Sequence, residues 1–261
     1  MSENETTTAE ETAVTTLARF EVPSRLEKIE DPNDPNHLTF VAEPFENGYG
    51  HTLGNSLRRV LLGSLEGAAI TSVRIAGAQH EFSSLPGVVE DVTEIVLNLK
   101  KVKFKHHGKE PRLLSLRVHK QGVVTAADIA DDTTYQVVNP DQIICTLDQD
   151  TMFECEFQVR VGRGFATGDE NKVPDMPIGV IPIDSIFSPV TRVKYSVQNT
   201  RVGQMTDYDK LTLEVWTDGR ISPADAMLQA SAILRHHLDV FVNYDDNQVN
   251  FEEAPSAVQD E

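Results

Sequence analysis

The chain has 261 residues, a formal net charge of −18 and an ordinary globular composition, enough sequence for one large domain or two modest ones. No apolar run approaches the roughly 18–20 residues that cross a bilayer, which excludes a membrane span. The first residues carry neither a basic nor an apolar stretch, so we expect a cytoplasmic protein without a secretory signal. The acidity argues against direct binding of phosphate backbones, so we expect no nucleic-acid partner.

Both ends of the chain are acidic and poor in large apolar residues. The segment 1–16 has four acidic residues and no base, and 244–261 has six acidic residues and no base. Such segments bury too little apolar surface to offset the entropy lost on ordering. We therefore predict two disordered tails around an ordered body that begins near Leu17.

The first part of the body alternates strand and helix patterns. The segment "HLTFVAEPF" (37–45) is typical of a strand that ends at Pro44, and "AAITSVRIAG" predicts another strand. Between them, 52–65 has helical periodicity, and "GVVEDVTEIVLNLK" (87–100) has it again. The apolar stripe of the first helix is predicted to contain Leu53, Leu57, Val60, Leu61 and Leu65.

The second part of the body is rich in strand patterns. "KVKFK", "LLSLRVH" and "MFECEFQVRVG" alternate with a period of two, and "RVKYSVQN" and "KLTLEVWTDG" follow a long Gly/Pro/Asp loop. The last pattern is a helix from Ser222, which is placed to cap it, with Pro223 at its first turn and Asp225 completing a capping box.

Two long helices near the ends of the body bracket a β-rich middle, which predicts an α+β fold. We expect a discontinuous unit, with two helices packed on an antiparallel sheet, that carries an inserted β-rich domain.

An arginine pair stands in the middle of the first long helix. At 100° per residue, Arg58, Leu62, Asn55 and Arg59 occupy the side away from the predicted apolar stripe. One interpretation is a solvated face, with Leu62 an ordinary exposed leucine and arginines that pair with nearby acids. The other is a second contact face, because arginine is enriched at interface hot spots.

The last helix carries a near-heptad stripe that has two interpretations. It packs against the core of its own chain, or it forms a helix–helix contact between two copies. The stripe consists of Met227, Ala230, Leu234, His237 and Phe241.

The sequence contains no catalytic constellation that we would defend. The histidine pairs are adjacent and chelate poorly, and His80-Glu81 lacks the second histidine of a zinc motif. Glu90 and Glu94 share a face if both are helical, which is more often a solvated face than an acid/base pair. Cys145 and Cys155 lie opposite each other on neighbouring strands if the segment between them forms a hairpin, yet buried thiols are favoured in a reducing compartment. We expect no metal site.

The segment from "EPFENGYGHTLGNSLRRVLLGSL" to "GVVEDVTEIVLNLK" resembles the N-terminal region of bacterial-type DNA-directed RNA polymerase alpha subunits. The resemblance continues through "VRVGRGF", "PIGVIPIDSIFSPVTRVKYSV" and "TRVGQMTDYDKLTLEVWTDGRISPADAM", and covers roughly 17–243. It implies a dimerisation domain of 17–66 with 191–243, and an inserted domain of 67–190.

The resemblance also implies partners and contact residues. Family members dimerise and then recruit the beta and beta-prime catalytic subunits, and they contribute no catalytic residue and no cofactor. The position of Arg59 matches the family's main beta contact, with Leu62 supporting it and Arg58 and Asn55 beside it. The beta-prime contacts map less securely, to Lys100 and Ile183.

Family members usually continue into a C-terminal DNA-binding domain, whereas this sequence ends at Glu261. No promoter or activator contact is therefore carried over. Two alternatives are a metal-dependent hydrolase that uses His80, Glu81, Glu90 and Glu94, and a general adaptor of another complex.

Overall fold

The computed structural model describes residues 14–17, 20–130, 132–174, 176–242 and 248–251, with only the backbone described at 14–17 and 248–251. The helices are α1 Tyr49–Gly63, α2 Val92–Leu99, α3 Gly168–Asn171 and α4 Pro223–Val242. The strands are β1 Val14–Leu17, β2 Glu27–Glu30, β3 His37–Phe45, β4 Glu66–Ile75, β5 Phe104–His106, β6 Arg112–His119, β7 Gly122–Thr125, β8 Tyr135–Val137, β9 Ile143–Leu147, β10 Met152–Arg163, β11 Phe165–Ala166, β12 Val180–Pro182, β13 Ser185–Ile186, β14 Val190–Val202, β15 Met205–Thr217 and β16 Gln248–Phe251.

A four-stranded antiparallel sheet, in the order β14-β15-β3-β2, supports the two long helices α1 and α4. Inward-facing residues alternate along β15 with outward polar residues, as expected for a sheet with one covered face. The core of this unit draws on 38–65 and 190–230. Its buried members are Leu38, Phe40, Leu61, Leu65, Val190, Val193, Leu213, Val215, Ala226, Met227 and Ala230.

A second sheet runs β6-β10-β4-β5-β8, and β12 adds to β4. Its strand pairs are antiparallel, and the two longest are β10 with β4 and β10 with β6. The short helix α2 packs against β9, which pairs with β7, and buries Val92, Ile95, Val96 and Leu99 in the core beneath the second sheet. This core is a separate cluster, drawn from 68–183.

The fold is α+β, as the sequence predicts. The core of the four-stranded unit draws on 38–65 and 190–230, whereas the core of the second sheet draws on 68–183. The exact domain limits at 66/67 and 190/191 stay a prediction. No helix in the described parts of the chain is long and apolar enough to span a membrane.

Two local predictions are wrong. The backbone of β1 pairs in parallel with β16, so 14–16 and 248–251 are not the disordered tails expected; the rest of both predicted tails lies outside the described residues. Helix α2 begins only at Val92, because Asp91 caps it by accepting from the backbone N–H of Glu94 at 2.8 Å. The strand β3 spans His37–Phe45, which is the predicted segment, and has a cis peptide between Glu43 and Pro44.

The two cysteines do not lie on neighbouring strands. Cys145 is on β9, which pairs with β7, whereas Cys155 is on β10, which pairs with β4 and β6. Both thiols are free and buried. Burial raises the pKa of Cys145 to about 12 and raises the pKa of Cys155 as well.

Candidate functional site

The start of α1 is fixed by a residue that is distant in sequence. Gly48 at the N-cap has a positive φ of 89° and provides no side-chain cap. The buried carboxylate of Asp209 on β15 takes this role, because its Oδ2 accepts from the N–H groups of Gly48 and Gly50 at 2.8 and 3.1 Å. This arrangement satisfies two of the four free donors of the helix and places a negative charge at its positive end.

Glycines bring α1 close to the sheet. A Cβ built at Gly54 would lie 2.6 Å from Cδ2 of Tyr195, and one built at Gly50 would lie 2.9 Å from Cγ1 of Val197. The buried face of α1 runs through Gly50, Gly54 and Leu61. It is rotated by about 40° from the predicted stripe, because the sequence pattern counted large apolar residues and not glycines.

The arginine pair separates into two different environments. Arg58 is exposed, but its Nε donates to the backbone oxygen of Val193 on β14 at 3.3 Å, so its guanidinium is tied to its own sheet. Arg59 is exposed and, within the described residues, makes no hydrogen bond or ion pair. Asn55 is exposed on the same outer side of α1. The free guanidinium of the pair is therefore that of Arg59.

Leu62 is not a fully outward residue, and that part of the sequence prediction is wrong. Because the buried face is rotated toward it, Leu62 is half-buried and packs against the cluster of the four-stranded unit. Only part of its side chain remains for a neighbour, next to the unpaired Arg59.

The first half of α4 belongs to the core of its own chain. Ser222 caps the helix: its Oγ accepts from the backbone N–H of Asp225 at 3.1 Å and donates to that residue's carboxylate at 2.7 Å. Met227 and Ala230 are buried in the cluster beneath the helix. Their assignment to a contact between copies is therefore wrong, since Ala230 has no exposed surface in the single chain and Met227 has almost none.

The second half of α4 continues the same stripe beyond the core. Leu234 is half-buried, His237 is exposed, and Phe241 is 71% exposed with Leu238 beside it at 53%. Nδ1 of His237 lies 2.8 Å from the backbone oxygen of Ile233, which makes it the protonated nitrogen. An apolar stripe that is buried at one end and uncovered at the other is typical of a helix that completes its packing with a partner.

The structure places Lys100 and Ile183 close together at the second sheet. Nζ of Lys100 donates to Oδ2 of Asp184 at 2.9 Å. This hydrogen bond, together with one from the backbone N–H of Gly168, holds the pKa of Asp184 below its usual value. Ile183 itself is buried in the core and cannot offer its side chain to a partner, which corrects that part of the prediction.

The groups proposed for a hydrolase do not converge. Glu90 precedes α2, and its carboxylate accepts from the backbone N–H and the hydroxyl of Thr146 at 2.6 and 3.0 Å, so it does not share a helix face with Glu94. Nδ1 of His80 lies 3.2 Å from the hydroxyl of Ser83. Across the described ranges, no group of three or more His, Cys, Asp or Glu side chains is arranged to hold a metal ion.

The chain is similar to known proteins both in one domain and over most of its length. Residues 73–188, which carry most of the second sheet, match the RNA polymerase Rpb3/RpoA insert domain. The chain is 51% identical over 237 residues to the DNA-directed RNA polymerase subunit alpha of Symbiobacterium thermophilum, covering 91% of this chain and 75% of that protein. It is 51% identical to the subunit of Desulfitobacterium hafniense DCB-2 (87% and 72% covered) and 53% identical to that of Moorella thermoacetica (80% and 67% covered). The chain therefore belongs to the family of bacterial DNA-directed RNA polymerase alpha subunits.

Proposed function

We propose that this chain is a homodimeric scaffold on which the beta and beta-prime subunits of an RNA polymerase assemble. The observation that carries the proposal is that Arg59, which has no partner among the described residues, lies beside the half-buried Leu62 on α1, in a chain that is 51% identical to an alpha subunit over 237 residues. The proposal includes no catalytic residue and no cofactor on this chain, no direct contact with nucleic acid, and a cytoplasmic site of action.

The second half of α4 is the proposed contact between two copies. Leu234, Leu238 and Phe241 extend the core stripe into solvent, and a second copy would cover them through the same stripe. A twofold arrangement uses one surface on both partners, so a single apolar helix end is sufficient.

The outer side of α1 is the proposed contact with the beta subunit. Arg59 has no partner to give up among the described residues, so a carboxylate or a backbone oxygen of the partner would gain its hydrogen bonds without breaking an existing one. Arg58 and Asn55 lie beside it, although the bond to Val193 leaves Arg58 less available.

The region around Lys100 is the proposed contact with beta-prime. Asp184 already neutralises Lys100, so this surface would present an ion pair and not a free cation. The buried Ile183 would contribute only indirectly, by anchoring in the core the segment that carries Asp184. The exposed Phe82 lies on the rim of the same depression as Asp184 and supplies apolar area for a partner.

The test is the capture of the beta subunit of the same organism by tagged chain after co-expression. Arg59→Ala is expected to lower the capture about thirtyfold or more, which is the loss typical of a hot spot. Arg201→Ala is the matched control, because Arg201 is exposed and its Nε donates to the oxygen of Gly203 at the far end of the β14–β15 hairpin.

The control should capture as much beta subunit as the unchanged chain does. Equal capture by the Arg59→Ala variant, with its fold and its dimer intact, would overturn the assigned role of α1.

A further inference from the structure

One buried arginine stands where the chain passes between its two units. The chain leaves the four-stranded unit at 66–68 and returns at 186–190, and α4 begins a few residues after β15 ends. Arg220 lies in the short segment between β15 and α4 and is only 7% exposed. A buried arginine needs a complete set of partners, so its contacts identify what it holds.

Arg220 connects all three of these segments. Its Nε donates to both carboxylate oxygens of Asp218 at 3.0 and 2.9 Å, and Nη2 lies 2.7 Å from the same carboxylate. Nη1 donates to the backbone oxygen of Ala68 at 2.8 Å, on the outgoing crossing. Nη2 donates to the backbone oxygen of Ser188 at 2.7 Å, on the returning crossing.

The two crossings touch each other beneath this guanidinium. A Cβ built at Gly67 would lie 2.0 Å from the backbone oxygen of Phe187 and 3.0 Å from Nη1 of Arg220. Glycine is therefore required at this position. The ring of Phe187 in turn packs on Gly162 of β10, where a Cβ would lie 2.8 Å from it. The outgoing and returning segments therefore pack directly on each other, and the guanidinium of Arg220 contacts both of them.

The rest of the boundary is less tightly closed. A cavity of about 220 Å³ lies between the units, lined by Phe104, Lys105 and His106 on one side and Pro189, Ile221 and Gln229 on the other. The ion pairs of Glu66 with Lys109 and Arg163 are near the surface, since these two basic side chains are 75% and 65% exposed, and such pairs contribute little. Nζ of Lys103 approaches Asp218 only to 3.9 Å. The buried contacts of Arg220 are thus the most directional ties across the boundary in the described residues.

We infer that Arg220 is a positioning residue that fixes the orientation of the insert relative to the helix-bearing unit. Lysine cannot replace it, because one ammonium group lacks the planar fork that reaches a carboxylate and two carbonyl oxygens at once. If the proposed function holds, this orientation sets the distance between the beta surface at Arg59 and the beta-prime surface at Lys100. The inference about orientation itself does not depend on that function.

The test is a distance measurement between two spin labels on one chain, at Gln121→Cys in the insert and Gln198→Cys on the outer face of the four-stranded sheet. Both positions are exposed, while the native thiols are buried and resist labelling. Labelled chain is diluted with excess unlabelled chain, so that the result is the same for a monomer and a dimer. The distance distributions of the parent, Arg220→Ala and Arg220→Lys are then compared.

The parent is expected to give one narrow distribution, and Arg220→Ala to widen it by about twofold or more, since loosely packed domains move relative to each other by default. Arg220→Lys should also widen it. Arg117→Ala, which removes an exposed pair with Glu154 inside the insert, should leave it unchanged.

Because an unpaired Asp218 could unfold the single variants, the double variant Asp218→Asn/Arg220→Gln is measured in parallel, and it too should widen the distribution. A width equal to that of the parent in a folded Arg220 variant would overturn the inference. Beta capture by Arg59→Ala is a separate readout, so failure of the proposed function would be recognised independently.

Discussion

Two neighbouring arginines on α1 illustrate how far a residue's role depends on tertiary contacts. Arg58 donates to the backbone of β14, whereas Arg59 makes no such bond within the described residues. Their helical positions differ by only about 100°, and the sequence gives no reason to treat them differently. Val193, whose backbone oxygen accepts from Arg58, is 135 positions away in the sequence. Only the folded structure therefore distinguishes the roles of the two arginines.

The capping of α1 has the same origin. A local cap was not available, because Gly48 has no side chain, and the sequence contains no signal that an aspartate on β15 replaces it. The one clue is an aspartate at the inward position of β15 that precedes Leu211, Leu213 and Val215, since carboxylates are rarely buried without donors.

At the residue scale, we predict that Gly54→Ala destabilises the protein. The added methyl group would meet the ring of Tyr195 at 2.6 Å and the side chain of Leu211 at 3.0 Å. Overpacking of this kind costs about 1–3 kcal/mol, while alanine returns up to about 1 kcal/mol in helix propensity. We expect a net loss of about 1–2 kcal/mol in the free energy of unfolding, measured by urea denaturation at fixed protein concentration.

Gly63→Ala is the matched control on the same helix. No atom lies within 4 Å of a Cβ built there, so this change should be neutral or stabilise by up to about 1 kcal/mol. Equal effects of the two substitutions would show that the close approach of α1 to the sheet is not what requires Gly54.

At the scale of elements, the spacing of apolar residues predicted whether most segments are helices or strands. The two long helices, the strands β3, β4, β10, β14 and β15, and the Ser222 cap follow from periodicity and capping chemistry. The buried face and the exact start of a helix were less predictable than its existence. The stripe of α1 was misplaced because two glycines form its contact line, and the start of α2 was misplaced because Asp91 caps it four residues later than the pattern began.

The helix α4 shows why a stripe alone cannot distinguish a core from an interface. Its apolar residues repeat at the same spacing from Met227 to Phe241, yet the first are buried in their own chain and the last are exposed. The helix has 20 residues and is about 30 Å long, and only its first half packs on the core of its own chain.

We predict that Phe241→Lys weakens the association of two copies. A lysine at this position would place a charge inside the proposed apolar contact, which costs several kcal/mol unless it finds a partner. The dissociation constant from sedimentation equilibrium should rise about thirtyfold or more. The expected stability of one protomer is unchanged, because Phe241 is 71% exposed within it.

Leu228→Lys serves as the comparison, since Leu228 is 69% exposed on the opposite side of α4. It should leave the dissociation constant unaltered. A dimer that tolerates Phe241→Lys but is broken by Leu228→Lys would place the contact on the other face of the helix.

At the scale of the whole molecule, the chain combines two cores with one buried junction. The outer side of α1 and the end of α4 belong to the unit made from both ends of the described chain, whereas the Lys100–Asp184 pair belongs to the insert. A scaffold that holds two different subunits needs its contact surfaces at fixed relative positions, and the contacts of Arg220 supply a physical means for this.

The central claim is that two copies of this chain together present α1 to one larger subunit. Native mass spectrometry of the chain co-expressed with the beta subunit of the same organism tests it most directly. The account predicts a complex of two copies with one beta subunit for the parent chain, and free dimers without beta for Arg59→Ala. A complex that contains a single copy, or an Arg59→Ala variant that retains beta as fully as the parent, would contradict it.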